Sequence, residues 1–442
     1  MKKLSRAVIA LILMTVMLLS ATSCAYVGMD ALFGDTESGG DSGDYLTREE
    51  VEKMLEGLEK NITVQGGNTT VIESITSNYD RNLLAASKGL LSVVSIASTF
   101  KVTYTYQGGF GLPTTTTSET TSYGSGVIYQ LDKEQGDAYI ITNHHVVYNS
   151  SSDTSDKISD DINIYLYGQE YLDYAIPAKY VGGSVNYDIA VLKVTGSETL
   201  IRSNAIPATF ANSDDVSVLD TAIAIGNPEA EGISATVGTV NVDSEEIELS
   251  NPTGGSAIKL RVMRTDAAVN SGNSGGGLFN DRGEIIGIAN AKMADTSVDN
   301  IGYAIPSNVA KNVADNIIYY DSLDASCDSV QRVMLGIKVT VGEAYTKYDT
   351  ETGKVHKLEQ VIISEVEDGG AADGVLRVDD IINSVTIDGV EYKVTRTFNV
   401  VDVMLTARKS GSKVSTVVFN VTRGNTTLSL TVDISSVTLS SY

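Results

Sequence analysis

The sequence predicts a mostly β protein: a sandwich or barrel over about residues 82–306, followed by a second β-rich unit. Three observations predict it. Short β-branched runs alternate with Gly, Asn and Asp turns through the first stretch, helical spacing is rare there, and the same texture resumes from Leu335 to the end. The 442 residues predict two or three domains, and an apolar content of 42% is enough for sizeable cores.

Taken in order, the chain opens on a targeting segment. Lys2, Lys3 and Arg6 precede a short apolar run from Ala7 to Leu19, which has the length of a signal-peptide core and is too short to span a bilayer. Ala21-Thr-Ser-Cys24 follows, similar to a bacterial lipobox in which Cys24 is lipidated, although Leu is commoner where Ala21 stands. Plain signal cleavage is the rival. Residues 35–44, rich in Asp, Ser and Gly, form a solvated tether. Asp41-Ser42-Gly43 matches the aspartic-protease tripeptide by chance. Thr47 to Glu50 spells a capping box, and Val51, Leu55 and Leu58 follow at helical spacing as a spacer or an oligomer contact.

The expected strands are Gly126–Tyr129, Ala138–Thr142, Ile162–Tyr165, Ile189–Leu192, Ala222–Ile225 and Ile285–Ile288. Residues 307–330 read as a helix and then a linker. In the last unit, Phe398, Val401 and Leu405 are spaced for one helical face.

Composition excludes some functions. A net charge of -24 argues against nucleic acid and anionic lipid, and its effect is to keep an exported protein soluble. With Cys24 lipidated, Cys327 has no disulfide partner, and its acidic neighbours make it a bystander rather than a nucleophile. No histidine pair has metal spacing, and no cofactor is expected.

The chemistry rests on three segments. The only histidines are His144, His145 and His356. Thr142-Asn-His-His-Val-Val147 follows an apolar strand, Asp188 stands at the mouth of another, and Gly272-Asn-Ser-Gly-Gly276 sets Ser274 among glycines. A serine hydroxyl needs a neutral imidazole to take its proton, and the imidazole needs a carboxylate to fix its tautomer. Flanking glycines let backbone amides converge where an oxyanion forms, which points to Gly272 and Ser274 with Asn273 between them. The order His, Asp, Ser is that of chymotrypsin. Gly272-x-Ser274-x-Gly276 also fits a hydrolase nucleophile elbow with His356 downstream, but the following residues read strand, turn, strand where an elbow needs a helix.

Gly124-Ser-Gly-Val-Ile128, Thr142–Val147, Asp188–Leu192, Ala224-Ile-Gly-Asn-Pro228, Thr265–Gly276 and Ile301–Pro306 together resemble the HtrA, or Deg, family of extracytoplasmic serine proteases, in the family's order. The resemblance covers about residues 82–434. It implies a chymotrypsin-like double β-barrel protease domain followed by a PDZ-like domain, ATP-independent cleavage of misfolded proteins, and trimers. It chooses His145 as the base, because that residue precedes Val146-Val147; the family usually has Asn where His144 stands, and Pro or Ala where Gly277 stands.

The implied division is a signal peptide at 1–23, a lipid-anchored tether at 24–80, a protease domain at 81–320 and a PDZ-like domain at 331–442. Leu335, Gly336 and Ile337 would receive a peptide C-terminus beside an edge strand. Gly369–Ala372 and Val378–Ile382 resemble later PDZ strands. By analogy with chymotrypsin-like enzymes, Ala268, six positions before Ser274, and Val269 beside it would form the base of the substrate pocket. The rival functions are a catalytically weak surface scaffold and a PDZ peptide-binding adaptor.

Overall fold

The computed structural model describes residues 64–65, 68–69, 78–107, 113–169, 174–254, 257–291, 301–324, 326–411 and 413–442. Cys24, the tether, the capping box and the helix after it lie outside the described residues. The chain divides into two compact units, Met1–Thr76 and Ser77–Tyr442. In the first, β1 (Val64–Gln65) pairs antiparallel with β2 (Asn68–Thr69). All that follows concerns the second.

The second unit begins with α1 (Asn78–Ser92), a helix the β-rich texture of the sequence did not announce. Ala85 is buried and Ala86 and Leu90 are partly so, a narrow stripe of small apolar residues that stands out little on composition. Next come β3 (Val93–Gln107), β4 (Pro113–Asp132), β5 (Asp137–Thr142), the one-turn helix α2 (His144–Val147), β6 (Asp161–Leu166), β7 (Ile176–Ser184) and β8 (Ile189–Val194). The six strands close a barrel in the order β3-β4-β5-β8-β7-β6.

After α3 (Glu198–Arg202) come β9 (Thr209–Phe210), β10 (Thr221–Gly226), β11 (Ser234–Leu249), β12 (Ile258–Thr265), β13 (Gly277–Phe279), β14 (Glu284–Ala289) and β15 (Gly302–Pro306). Their order is β13-β10-β11-β12-β15-β14, and β14 pairs back with β13 to close a second barrel, with β9 laid parallel on β14. The protein is thus the mostly β, chymotrypsin-like double barrel that the sequence predicted.

The apolar runs in these strands are unbroken because both faces are covered. Side chains alternate across a strand. Val94, Ile128, Ile140 and Leu192 fill the first barrel. Their neighbours Val93, Val127, Ile141 and Val191 point outward into a shared core with Ile223, Ile225 and Phe279 of the second barrel. The catalytic candidates lie at the ends of strands that this shared core holds rigidly together.

The helix α4 (Ser307–Leu323) then packs Val309, Val313 and Ile317 into the same shared core. The segment after it is no loose linker: Gly183 N–H donates to Asp328 O at 2.9 Å, and Gly183 and Ser329 form a β-bridge. The remaining elements are β16 (Gln331–Val333), β17 (Ile337–Tyr348), β18 (Val355–Val366), β19 (Ile381–Ile387), β20 (Val390–Lys393), α5 (Thr397–Met404), β21 (Lys409–Ser410), β22 (Lys413–Val414), β23 (Val417–Arg423), β24 (Thr426–Val432) and β25 (Leu439–Ser441). Their main sheet runs β17-β18-β19-β23-β24, with β17 at the edge. It has its own core, built on Val361, Ile363, Ile382, Phe419 and Val421.

The helical face expected for α5 differs from the one observed. Val400, Val403 and Met404 face the sheet, Val401 is 39% exposed, and Phe398 lies against the guanidinium of Arg261 at 3.5 Å. Leu405 alone of the expected trio is fully buried, and it joins the core shared by the barrels. The helix has two partners, the sheet and the second barrel, so a single apolar stripe does not describe it.

Candidate active site

His145 enters on α2, which starts where β5 leaves the first barrel. Asp188 immediately precedes β8. Its φ of 48° is uncommon for a residue with a side chain and marks a position that its surroundings must hold. The buried Asn143 does so, donating from Nδ2 to Asp188 O at 2.9 Å.

The carboxylate is spent on the histidine. Asp188 Oδ1 accepts from His145 N–H at 3.0 Å, and Oδ2 meets His145 Nδ1 at 2.7 Å. With Nδ1 carrying the proton shared with Asp188, Nε2 is left as an acceptor. Asn290 Nδ2 adds a third donor to Asp188 Oδ2, at 2.7 Å. Burial by itself raises the Asp188 pKa, but the imidazole charge and these hydrogen bonds overcome it and hold the group below the usual carboxylate range.

Ser274 belongs to the loop between β12 and β13 of the second barrel. Its hydroxyl oxygen accepts from Ala291 N–H at 3.0 Å, which leaves its own hydrogen available to a base. Adjacent residues therefore hold the two halves of the site: Asn290 grips Asp188 and Ala291 grips Ser274.

Carbonyl partners around Ser274 set the direction of two amides. Ser271 O accepts from Glu229 N–H at 2.8 Å, and Asn273 O accepts from Gly276 N–H at 2.9 Å. In a planar trans peptide the N–H points opposite to the C=O, so Gly272 N–H and Ser274 N–H face away from those partners. Among the described residues, neither amide meets a hydrogen-bond acceptor. Asn273 N–H is different: it donates to Asn270 O at 3.0 Å and closes the turn. Gly272 has a φ of 93°, and a Cβ there would stand 2.2 Å from Asn227 O, so only glycine fits.

The other expected residues are placed as follows. His144 is buried, its ring 5.2 Å from that of Tyr148 and 6.4 Å from that of Tyr180. His356 pairs with Lys347 in the β17–β18 hairpin of the C-terminal sheet. Ala268 is exposed, and its carbonyl accepts from Thr236 Oγ1 at 3.1 Å and from Asn273 Nδ2 at 3.3 Å. Val269 is buried in the second barrel's core, where its side chain crowds Gly302.

Leu335 and Gly336 turn their carbonyls to Ala372 N–H at 3.0 Å and Glu367 N–H at 2.7 Å, and Ile337 opens the edge strand β17. Asn143 stands in the histidine motif and was legible there. Asn290 lies about a hundred residues from Asp188, and no local pattern announces it.

Known proteins resemble this chain. The family described as "Trypsin-like peptidase domain" matches residues 124–288. The chain is 35% identical over 231 residues to the serine protease Do-like HtrA of Bacillus subtilis (strain 168), covering 52% of this chain and 46% of that protein. It is 33% identical over 270 residues to the periplasmic pH-dependent serine endoprotease DegQ of Escherichia coli (strain K12), covering 59% and 50%. The chain thus spans about half the length of these relatives. A solved structure of the HtrA-type protease AlgW with tripeptide aligns over 82% of this chain and 97% of that one, at 25% identity and a TM-score of 0.48.

Proposed function

We propose that the chain is a serine endopeptidase of the HtrA (Deg) family, with His145, Asp188 and Ser274 as its triad. The observation that carries this reading is the 2.7 Å contact between His145 Nδ1 and Asp188 Oδ2, bridged to Ser274 through Asn290 and Ala291. Ser274 Oγ attacks the scissile carbonyl carbon while its proton passes to His145 Nε2. The carbonyl oxygen becomes an oxyanion and accepts from Gly272 N–H and Ser274 N–H. The imidazolium, steadied by Asp188, gives its proton to the leaving amine as the C–N bond breaks, leaving an acyl-enzyme. Water then attacks that ester, with His145 again taking and returning the proton. No metal or cofactor is needed for these steps.

The substrates are unfolded or misfolded proteins outside the cytoplasm, cut without ATP. Residues 1–23 act as the export signal and Cys24 as a lipid anchor, with trimers as the assembly. The C-terminal unit serves as a PDZ-like module that takes a peptide C-terminus at Leu335, Gly336 and Ile337, where the carbonyls are turned inward and the β17 edge is unpaired.

Casein digestion tests the central reading: the parent protein degrades it, and Ser274→Ala does not. No digestion by either would overturn it in favour of a scaffold or adaptor, and equal digestion by both would show that Ser274 is not the nucleophile.

A further inference from the structure

The Gly124-Ser-Gly126 segment of β4 touches the Ser274 loop from the other barrel. Ser125 is fully buried. Its backbone N–H donates to Ser274 O at 2.8 Å. Its hydroxyl donates to Gly272 O at 2.7 Å and accepts from Asn227 N–H at 2.8 Å. Gly124 makes the approach feasible, since a Cβ there would stand 2.6 Å from Val146 Cγ1, beside the helix that carries His145.

We propose that Ser125 is a positioning residue that sets the oxyanion-binding amides through the carbonyl of Gly272. The peptide from Gly272 to Asn273 is tied at both ends, by Ser125 Oγ on its C=O and by Asn270 O on its N–H. That plane lies between the two amides offered to an oxyanion. With Ser271 O held by Glu229 N–H and Asn273 O by Gly276 N–H, the Ser125 hydroxyl is the side-chain tie that crosses from the other barrel, beside the backbone bond from Ser125 N–H to Ser274 O. Without it, Gly272 can rotate about its two backbone angles, and glycine at a φ of 93° has broad freedom to do so. Its N–H then leaves the direction in which the oxyanion forms. Ser125 touches neither substrate nor base in this account. It acts by coupling the barrel that carries His145 and Asp188 to the loop that carries the nucleophile.

The inference rests on the proposed protease activity. Its test compares the full chain with Ser125→Ala on a fluorogenic peptide substrate, alongside the affinity of a peptide boronate, whose tetrahedral adduct occupies the oxyanion position. Misdirecting one oxyanion donor lowers kcat by about 30-fold or more. KM should change by less than about threefold, and boronate affinity should fall by the same factor as kcat/KM. Binding of the uncleaved peptide in the Ser274→Ala background should be the same with and without Ser125→Ala. A parental kcat overturns the assignment, and so does a kcat loss with unchanged boronate affinity. Should Ser125→Ala fail to fold by circular dichroism, Ser125→Cys replaces it: its weaker donor should give a smaller loss of the same pattern, and parental behaviour overturns the idea. If Ser274→Ala keeps parental activity, it is the protease reading that fails; if only Ser125→Ala does, the positioning role alone falls.

Discussion

Arg261, on the second barrel, and Asp402, on the C-terminal helix α5, form an ion pair whose side chains are each only 11% exposed. Arg261 also reaches Asp214 at 2.9 Å and lies over the ring of Phe398. Nearby, Arg396 reaches Asp243 of the second barrel at 3.5 Å, and Lys354 reaches back to Asp220 at 2.6 Å. The C-terminal sheet is therefore latched to the second barrel by charges held partly or fully out of water.

Breaking that latch on one side should be costly. Asp402→Ala leaves a buried guanidinium with Asp214 as its remaining charged partner beside the Ser244 hydroxyl, and a stability loss of about 3 kcal/mol is expected. Urea unfolding followed by circular dichroism measures it. A loss under about 0.5 kcal/mol would show that the pair adds nothing to docking.

The same pair predicts a pH dependence. Burial, opposed by Arg261 and assisted by Asp214, raises the Asp402 pKa to about 6. A carboxyl whose folded pKa lies above its unfolded value favours the folded state when protonated. Its unfavourable contribution is thus fully present above pH 6 and fades as pH falls toward 4. Between pH 7 and 5, Asp402→Asn should flatten a rise in stability of about 1–3 kcal/mol on acidification. Matched melting curves for parent and variant decide it; identical slopes would refute it.

Deleting residues 331–442 should destabilise the barrels rather than release an intact protease domain. The deletion removes Leu405 from the shared core, along with the bonds from Asn316 Nδ2 to Gln331 O and Leu405 O. Losing one buried leucine alone costs about 2–5 kcal/mol. A truncated protein that melts at the parental temperature would show that the two units are independent.

The three histidines should separate cleanly. His145→Ala should lower kcat by about 10⁴-fold or more, since it removes the proposed base. His356→Ala should leave kcat unchanged. His144→Ala opens a cavity beside Tyr148 and Tyr180, so it should lower the melting temperature more than it lowers kcat. An inactive His356→Ala variant would require a different catalytic site.

Cleavage should follow small or medium aliphatic residues rather than Arg or Lys. Ala268 is exposed and offers no counter-charge, and its neighbour Val269 is buried against Gly302. Asp266, the nearby carboxylate, is occupied by Thr239 N–H and Thr239 Oγ1. A cationic side chain buried there unpaired would cost several kcal/mol, whereas an aliphatic one gains about 1–3 kcal/mol. Mass spectrometry of cut sites in a denatured protein reads the outcome, and a majority of cuts after basic residues would contradict the pocket assignment.

The sequence by itself determined the β class, the strands that carry the candidate site and the three residues proposed for it. It could do so because short β-branched runs between turns and scarce histidines are local signals: β5, β8, β10 and β14 each contain one of the predicted runs. Tertiary structure decided what depends on contacts between distant segments. The family resemblance chose His145 over His144, and the fold turns His145 to Asp188 and buries His144 against tyrosines. Asn290 and Ser125 became visible only when strands from both barrels closed around one loop. The docking of α5 on the second barrel was likewise hidden, because a helix with two partners has no single periodic face to read. Hydrogen bonds and ion pairs spanning a hundred residues leave no trace in local spacing, and those bonds orient the groups that the sequence could only name.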